Sequence, residues 1–491
     1  MLAFIGICVL LLIGHVLRTR IRLLQWLYLP ACVIAGVVGL ILVQVLSLWA
    51  RAEGHLGFLA TWEGWFWGSL AVVVEWATLQ AATAQAEVSA WTAVWAKLPG
   101  FLINIVFACL FMGVTLPRVG SLVKRSGLQL AYGQIVAWGQ YVVGVGLVIF
   151  VLAGPFGLND MFGGVLPVGF EGGHGTASGL AEAFKTHGWE AGKDFALASA
   201  TFGISSAIIV GMILVNIATR RGWTHLRQSP ADVPADDSIG IIPVDRRPSA
   251  GKLTVKSDAI ESFTLHLALV GVALLIGYGL QRGVALLDLL YEMPEELEGR
   301  KGLFSSIPMF PLCMVGGLVI QVWEQKYDRH KLIDLGLIRR IQNSALDFLV
   351  VAAIATMRLE VIAAGLVPLL ILVAAGIAWN VFCVLVLARW LLPDAWFERS
   401  IAEMGQSMGV TATGLLLLRV VDPDYETPAA DAFATKQLLH EPIMGGGLWT
   451  SLAIPLLALW GGLQVFLIAA GALAVWLVLL VVAKLGKTGA A

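Results

Sequence analysis

The sequence predicts an all-α polytopic membrane protein: two inverted five-helix repeats, each with a re-entrant hairpin, plus an extra C-terminal helix. Of its 491 residues, 58% are hydrophobic and only 13% are charged, and the mean hydropathy is +0.84. Most of such a chain must be solvated by lipid or by its own helices. Apolar runs of about 20 residues recur along it, as membrane-spanning helices require. The two halves also carry similar motifs in the same order, which indicates an internal repeat.

Eleven apolar runs predict membrane spans. The first run is followed, not preceded, by arginines and lacks a small-residue cleavage site, so it is expected to be a retained helix rather than a signal peptide. The tryptophan-rich segment 62–97 predicts either an interfacial helix or a pair of extra spans. The predicted spans are 2–18, 25–48, 100–117, 128–153, 194–219, 258–282, 303–323, 343–358, 361–388, 434–460 and 463–484.

Charge and cysteine content exclude several classes of partner and site. The net charge of −1 provides no basic field to collect phosphates, so nucleic acid is not an expected partner. The five cysteines lie in apolar runs without CxxC spacing, which favours packing residues over a disulfide framework or a zinc site. These cysteines are Cys8, Cys32, Cys109, Cys313 and Cys383.

The distribution of Lys and Arg predicts the orientation. Residues 220–258 are rich in Arg, Lys, Pro and Asp and are expected to form a cytoplasmic linker. Placing the other basic clusters on the same side of the membrane puts the N-terminus outside. All basic clusters lie on one side only if the segments near 160–185 and 400–420 do not cross the membrane. The first must then enter and leave from outside, and the second must enter and leave from the cytoplasm. Each is therefore predicted to be re-entrant.

Matched motifs in the two halves support the inverted repeat. LPACVIAGVVGLIL at 29–42 corresponds to FPLCMVGGLVIQV at 310–322, and Gln140 corresponds to Asn380. With five spans before the linker, the second half begins on the opposite side of the membrane. Inverted repeats with interrupted hydrophobic segments are typical of secondary transporters. The predicted divisions are a first repeat at 1–219, the linker at 220–258, a second repeat at 259–460 and an additional transmembrane helix at 461–491.

Glycine-rich, hydroxyl-rich segments interrupt both halves at matching places. Glu171-Gly-Gly-His174 precedes GTASGL, and Glu403-Met-Gly-Gln406 precedes SMGVTATGL. Non-helical backbone at membrane depth is tolerated only beside protein or a watery cavity, where its free groups can bind a substrate or an ion. Close helix packing at the glycines is the alternative explanation. A sodium ion is expected among nearby backbone carbonyls and the hydroxyls of Thr176, Ser178, Thr411 and Thr413.

GGHGT at 172–176, ATFG at 200–203 and QYVVGVG at 140–146 resemble the bacterial sodium/glutamate symporter family. The resemblance covers most of the chain and is strongest from about 98 to 219. It implies two inverted five-helix repeats with re-entrant segments, and sodium-coupled uptake of glutamate. Position by position, it implicates Gln140, Gly172, Gly173, His174, Gly175, Thr176 and Thr201 in the first half, and Gly405, Gln406, Gly409, Thr411 and Thr413 in the second.

Three positions depart from this family. The family carries small or hydroxyl residues where this chain has Glu171 and Glu403, and a histidine where it has Gln406. A carboxylate near the membrane midplane costs roughly 2.5 to 3.5 kcal/mol or more unless it is paired, protonated or hydrated. Two acids in the site would oppose a dicarboxylate and suit a cation, a substrate ammonium or a transported proton. Alternatively, both acids lie in water at the mouths of the hairpins.

The remaining candidates are Ser407, Asn380 and Glu441. Glu441 precedes a proline and three glycines inside the tenth predicted span, so it is expected to mark a local break that faces the site. The sequence leaves three functions open: a sodium-coupled symporter of L-glutamate or a related amino acid or carboxylate, a proton-coupled transporter of another small organic solute using Glu171 and Glu403, and a membrane metalloenzyme using Glu171, His174 and Glu441. The last lacks paired i, i+4 ligands, so no catalysis is expected. Expected partners are the small-molecule substrate, sodium as the coupling ion and the lipid bilayer. No other cofactor is expected, and the sequence leaves homodimerisation open.

Overall fold

A computed structural model of the chain describes residues 1–27, 29–60, 90–117, 119–225, 241–244, 247–290, 304, 307–392, 394–423 and 426–488. Every regular element in these ranges is helical. The helices are α1 Leu2–Arg20, α2 Arg22–Trp26, α3 Ala31–Ala60, α4 Ala90–Ala108, α5 Val119–Leu147, α6 Val165–Phe170, α7 Gly173–Gly179, α8 Ala181–Thr186, α9 Gly192–Arg221, α10 Ser262–Ala285, α11 Met309–Tyr327, α12 Leu335–Ala355, α13 Leu359–Ala364, α14 Leu366–Phe382, α15 Trp396–Ser407, α16 Thr411–Val421, α17 Ala429–His440, α18 Leu448–Leu459 and α19 Gly462–Thr488.

Seven helices of the described chain are long and apolar enough to cross a membrane. The first and last of them are only 17% buried over their most apolar windows, so their hydrophobic side chains face outward. In water such surfaces would be costly, whereas lipid solvates them. The seven are Leu2–Arg20, Ala90–Ala108, Ser126–Phe156, Gly192–Arg221, Ser262–Asp288, Leu366–Leu391 and Gly462–Val482.

Local sequence signals explain where several helices begin and end. Glu261 caps α10 by accepting a hydrogen bond from the backbone N–H of Thr264 at 2.9 Å. Asp334 caps α12 in the same way through the N–H of Leu337 at 3.0 Å. Such caps satisfy backbone donors that a helix start otherwise leaves unpaired. Gly222 ends α9 in the left-handed region, at φ +65°.

The outer helices pack closely through small residues. Gly316 of α11 lies against the Ala273 carbonyl of α10, where a side chain would overlap the neighbouring backbone. In the same way, Gly36 of α3 accommodates Ile354 of α12. Close backbone approach at small residues is the usual way in which membrane helices associate, because lipid supplies no hydrophobic force between them.

At the centre, α5 and α14 cross directly. Gly139 of α5 leaves room for the indole of Trp379, whose Nε1–H donates to the Val136 carbonyl at 2.9 Å. Each helix then continues through a π-helical segment, Val148–Leu152 after α5 and Cys383–Ala388 after α14. The crossing brings the helix that carries Gln140 against the helix that carries Asn380.

The span predicted at 434–460 is interrupted where its proline and three glycines predict a local break. Helix α17 ends at His440 and α18 begins at Leu448. Pro442 cannot donate a helical hydrogen bond, and Gly446 has φ +88°, a conformation that L side chains rarely adopt. The break therefore lies at the residues that mark it in the sequence.

Other boundaries also differ. The segment predicted at 100–117 is helical over Ala90–Ala108 instead. Of the tryptophan-rich segment 62–97, residues 62–89 lie outside the described residues, as do 226–240 and 245–246 of the linker. Trp95 is 3% exposed and its Nε1–H donates to the Ala3 carbonyl at 2.8 Å, so this tryptophan packs between helices.

Candidate functional site

Two pairs of short helices occupy the two glycine-rich segments. In the first half, α6 and α7 are separated at Gly172, and Gly173 has φ +67°. In the second half, α15 and α16 pack so closely that a β-carbon on Gly405 would lie 2.7 Å from the Gly414 Cα. The segment between α15 and α16, residues 408–410, forms the tip of this second pair.

The two pairs meet each other. A β-carbon on Gly173 would lie 3.5 Å from the Gly409 carbonyl oxygen, which is ordinary contact. Gly203 of α9 lies against the Met408 carbonyl, and the Gln140 side-chain Nε2–H donates to the Ser407 carbonyl at 2.7 Å. The end of α15 is thus held by groups from the first half of the chain.

Glu171 and Glu403 are buried and hydrogen-bonded. Glu171 is 4% exposed and its Oε1 lies 2.7 Å from His440 Nε2. Glu403 is fully buried, and its Oε1 accepts from the Lys436 ammonium at 2.5 Å. The alternative in which both acids lie in water at the mouths of the hairpins is therefore wrong. Both partners come from α17, where Lys436 and His440 lie one turn apart.

Gln406 connects the two carboxylate pairs. Its Oε1 accepts from Lys436 Nζ at 2.7 Å, and its Nε2–H donates to Glu171 Oε1 at 3.3 Å. Gln129 of α5 donates to Glu403 Oε2 at 2.9 Å. These side chains form one buried network, which we call the central polar network, and it joins both short-helix pairs to α5 and α17.

A second cluster lies where α17 breaks. Glu441 Oε1 accepts from the Thr411 hydroxyl at 2.9 Å, and the same hydroxyl accepts from Gln437 Nε2 at 2.9 Å. A β-carbon on Gly446 would overlap the Thr176 hydroxyl, so the triple-glycine segment lies directly on α7. The break in α17 therefore contacts both short-helix pairs.

Several predicted residues occupy separate positions. His174 lies 3.0 Å from the Thr201 hydroxyl, away from the carboxylates. Asn380 donates to the Gly376 carbonyl of its own helix at 2.9 Å. Gly175 packs against Ile103, and Gly172 packs against Thr176. For Gly172, Gly175 and Gly405, these contacts match the close-packing explanation for the glycines.

A set of buried side-chain oxygens in this region has no hydrogen-bond partner among the described residues. Leaving such a group unpaired away from water costs about 1 to 3 kcal/mol, so native proteins seldom retain them without a reason. The set is Glu171 Oε2, Gln140 Oε1, Ser407 Oγ, Thr176 Oγ1, Ser178 Oγ and Asn380 Oδ1.

Sequence reasoning missed Lys436, His440 and Gln129. A signal for two of them was present, because Lys436 and His440 are four residues apart in an apolar segment and so share a helix face. However, most residues around these two side chains are apolar, so the hydropathy averaged over the span still predicts a membrane helix. Gln129 carried no comparable signal.

The metalloenzyme alternative required Glu171, His174 and Glu441 to approach one another. Each instead bonds a different partner: His440, Thr201 and Thr411, respectively. In the part of the chain that the structure describes, no three His, Cys, Asp or Glu side chains are grouped as a metal site would require.

The helices and the buried polar centre define a multi-pass membrane protein. The model of the sodium/glutamate symporter family matches residues 95–426, more than half of the chain. The chain belongs to the sodium/glutamate symporter family, a family of membrane transporters, which confirms the resemblance drawn from its motifs. No curated protein and no solved structure gives a match. The matched range ends before Lys436, His440 and Glu441, so these side chains of the site lie outside it.

Proposed function

We propose that the protein is a secondary active transporter that couples sodium to the uptake of L-glutamate or a related amino acid or carboxylate across the bacterial inner membrane. The observation that carries this proposal is the contact between two interrupted helical segments, one from each half, around a buried polar network. Transporters bind substrate and coupling ion at such interrupted segments near the membrane midplane. Membership of the sodium/glutamate symporter family supports this choice of substrate class and ion.

Uptake into proteoliposomes tests this function. The purified protein is reconstituted, and accumulation of radiolabelled L-glutamate is measured with an inward sodium gradient, with equal sodium on both sides, and with choline replacing sodium. We expect accumulation only with the sodium gradient. Accumulation that follows an imposed proton gradient and ignores sodium would instead support the proton-coupled alternative. In that case Glu171→Gln and Glu403→Gln should abolish the proton response.

We also propose that Thr176 and Ser178 contribute to the sodium site. Both hydroxyls are buried and unpartnered among the described residues, and Thr176 lies against Gly446. Carbonyl and hydroxyl oxygens can replace the hydration shell of sodium. Thr411 is a weaker candidate because its hydroxyl already bonds Glu441 and Gln437. Thr413 remains a candidate, as its hydroxyl lies near Gly409.

Thr176→Val tests the sodium site, because it removes the hydroxyl and retains the branched shape. We expect the sodium concentration for half-maximal uptake to rise about tenfold, as the loss of one ion ligand implies. Thr356→Val is the matched control, since among the described residues the Thr356 hydroxyl donates to the carbonyls of Ala352 and Ala353 in the helix that it follows. An unchanged sodium midpoint in Thr176→Val would exclude Thr176 as a ligand.

Two inverted repeats with re-entrant segments complete the proposal, with divisions at 1–219, 220–258, 259–460 and 461–491. Three features support it: the short-helix pairs occur at matching places, the long helices α5 and α14 cross, and each of these two helices continues into a π-helical segment. The N-terminus is proposed to lie outside and the linker in the cytoplasm, as the positive-inside rule requires.

Single cysteines at exposed positions test the topology. In a background without the native cysteines, Asn159→Cys and Lys185→Cys flank the first short-helix pair, and Asp394→Cys and Glu426→Cys flank the second. We expect the first two to react with an impermeant maleimide from outside and the other two only from the cytoplasm. Labelling of one pair from opposite sides would mean that its segment crosses the membrane, and the proposed repeat would then be rejected.

A further inference from the structure

Two long membrane helices bring their ends together around Trp223. Helix α9 ends at Arg221, and the helix that begins with α14 continues through its π-helical segment to Leu391. The guanidinium carbon of Arg221 lies 5.3 Å from the centroid of the Trp223 ring, and that of Arg389 lies 5.7 Å from the Trp223 ring centroid. The Trp223 ring also contacts the ring of Trp396 at the start of α15, with 5.6 Å between centroids. This cluster therefore adjoins the second short-helix pair.

The two arginines carry positive charges that no carboxylate of the described chain balances. Both are exposed, and neither forms an ion pair with a described residue. The acids nearest to them in this region are engaged elsewhere: Asp394 pairs with Arg399 at 3.0 Å, and Glu398 accepts from the backbone N–H of His225 at 2.7 Å. The dipole at the C-terminal end of a helix favours one cation, but two cations at one ring repel each other. An anion between them would remove that repulsion.

An exposed apolar face leads along each helix to its arginine. On α9, Ile209, Ile213 and Ile217 are exposed, and their spacing of four residues continues to the arginine that ends the helix. On the other helix, Phe382 and Val386 are exposed and precede its arginine. The two helices contact each other. Apolar side chains exposed on membrane helices are solvated by the acyl chains of lipids, so both faces run from the acyl region to one pair of positive charges.

We propose that Arg221, Arg389 and Trp223 bind the headgroup phosphate of an anionic phospholipid whose acyl chains lie along the two apolar faces. Guanidinium groups match phosphate with paired N–H donors, and tryptophan is enriched at the headgroup level of membranes. Basic pockets between membrane helices bind anionic headgroups in this way. A zwitterionic lipid fits less well, because its own cationic group would meet the two arginines. The inference goes beyond the proposed transport function and does not depend on it.

Thermal unfolding in detergent micelles measures lipid binding, because a ligand of the folded state raises the melting temperature as its concentration rises. The purified protein is titrated with phosphatidylglycerol and with phosphatidylcholine that carries the same acyl chains. We expect phosphatidylglycerol to raise the melting temperature saturably and to bind about 10- to 25-fold more tightly than phosphatidylcholine, since two basic side chains meet its charge. Identical titrations with the two lipids would overturn the inference.

Variants assign the lipid preference to this cluster. Arg221→Gln and Arg389→Gln should each weaken phosphatidylglycerol binding about fivefold, and the double variant about 25-fold, because each basic side chain near an anionic lipid contributes separately. Arg20→Gln/Arg22→Gln is the matched control, since it removes two exposed arginines at the junction of α1 and α2 and should leave the affinity within about twofold. Unchanged affinity in Arg221→Gln/Arg389→Gln, or an equal loss in the control, would overturn the assignment.

Inorganic phosphate distinguishes a lipid from a soluble anion, because it supplies the same charged group without acyl chains. It is added to the detergent-solubilised protein at a tenfold excess over the phosphatidylglycerol concentration that saturates. We expect it neither to raise the melting temperature nor to displace the lipid. If phosphate stabilises the parent protein but not Arg221→Gln/Arg389→Gln, the cluster is a site for a soluble anion and the lipid assignment is overturned.

Discussion

The buried Lys436–Glu403 pair allows a quantitative prediction for Lys436→Met. Both side chains are fully buried, and the ammonium donates to Glu403 at 2.5 Å and to Gln406 at 2.7 Å. Each charge-assisted bond contributes about 1.5 to 3 kcal/mol, and breaking a buried pair by removing one partner costs about 3 to 5 kcal/mol. We therefore expect Lys436→Met to lower the free energy of unfolding by about 3 to 5 kcal/mol, because it leaves the Glu403 carboxylate buried without its counter-ion.

Reversible unfolding by SDS in mixed micelles, followed by tryptophan fluorescence, measures this free energy. The double variant Glu403→Gln/Lys436→Met should recover at least half of the loss, since no charge then remains unpaired. Lys185→Met is the control, and this exposed lysine should change stability by no more than about 0.5 kcal/mol. A loss below about 1 kcal/mol for Lys436→Met, or a double variant as unstable as the sum of the single variants, would refute the reasoning.

Two further variants test the packing around the site. Gly446→Ala should abolish transport and lower the melting temperature, because its φ of +88° disfavours any side chain and a β-carbon there would overlap a neighbouring hydroxyl. Gly445→Ala is the control, because the nearest atom to its new β-carbon would lie 3.4 Å away. This control should retain both transport and the melting temperature. Asp194→Asn should lower the melting temperature, because this buried acid accepts hydrogen bonds from the Arg358 side chain at 2.8 Å and from the Arg358 backbone N–H at 3.1 Å. Glu190→Gln should leave the melting temperature unchanged, since the 3.6 Å ion pair between Glu190 and Arg358 is exposed. Equal effects within either comparison would contradict these assignments.

The sequence alone established the class of the molecule and the places where its helices are interrupted. Hydrophobicity adds up over a window of about 20 residues, so helices that lie in lipid can be recognised without their neighbours. The motifs at 140–146, 172–176 and 200–203 together also identified the family that the comparison later matched. The tenth span shows the limit of this approach, because its proline and glycines indicated the break between His440 and Leu448 but not which side chains the two helix ends contact.

The sequence also singled out Glu171 and Glu403 as unusual, but it could not determine their environment. Only the tertiary structure decided that each acid is buried and which side chain it bonds. His440 is 269 positions from Glu171 in the chain, and Lys436 is 33 positions from Glu403. Periodicity reports on neighbours within a few turns, whereas an electrostatic pair depends on distance in space. The pairing of both acids therefore follows from how α17 packs against α5 and α15.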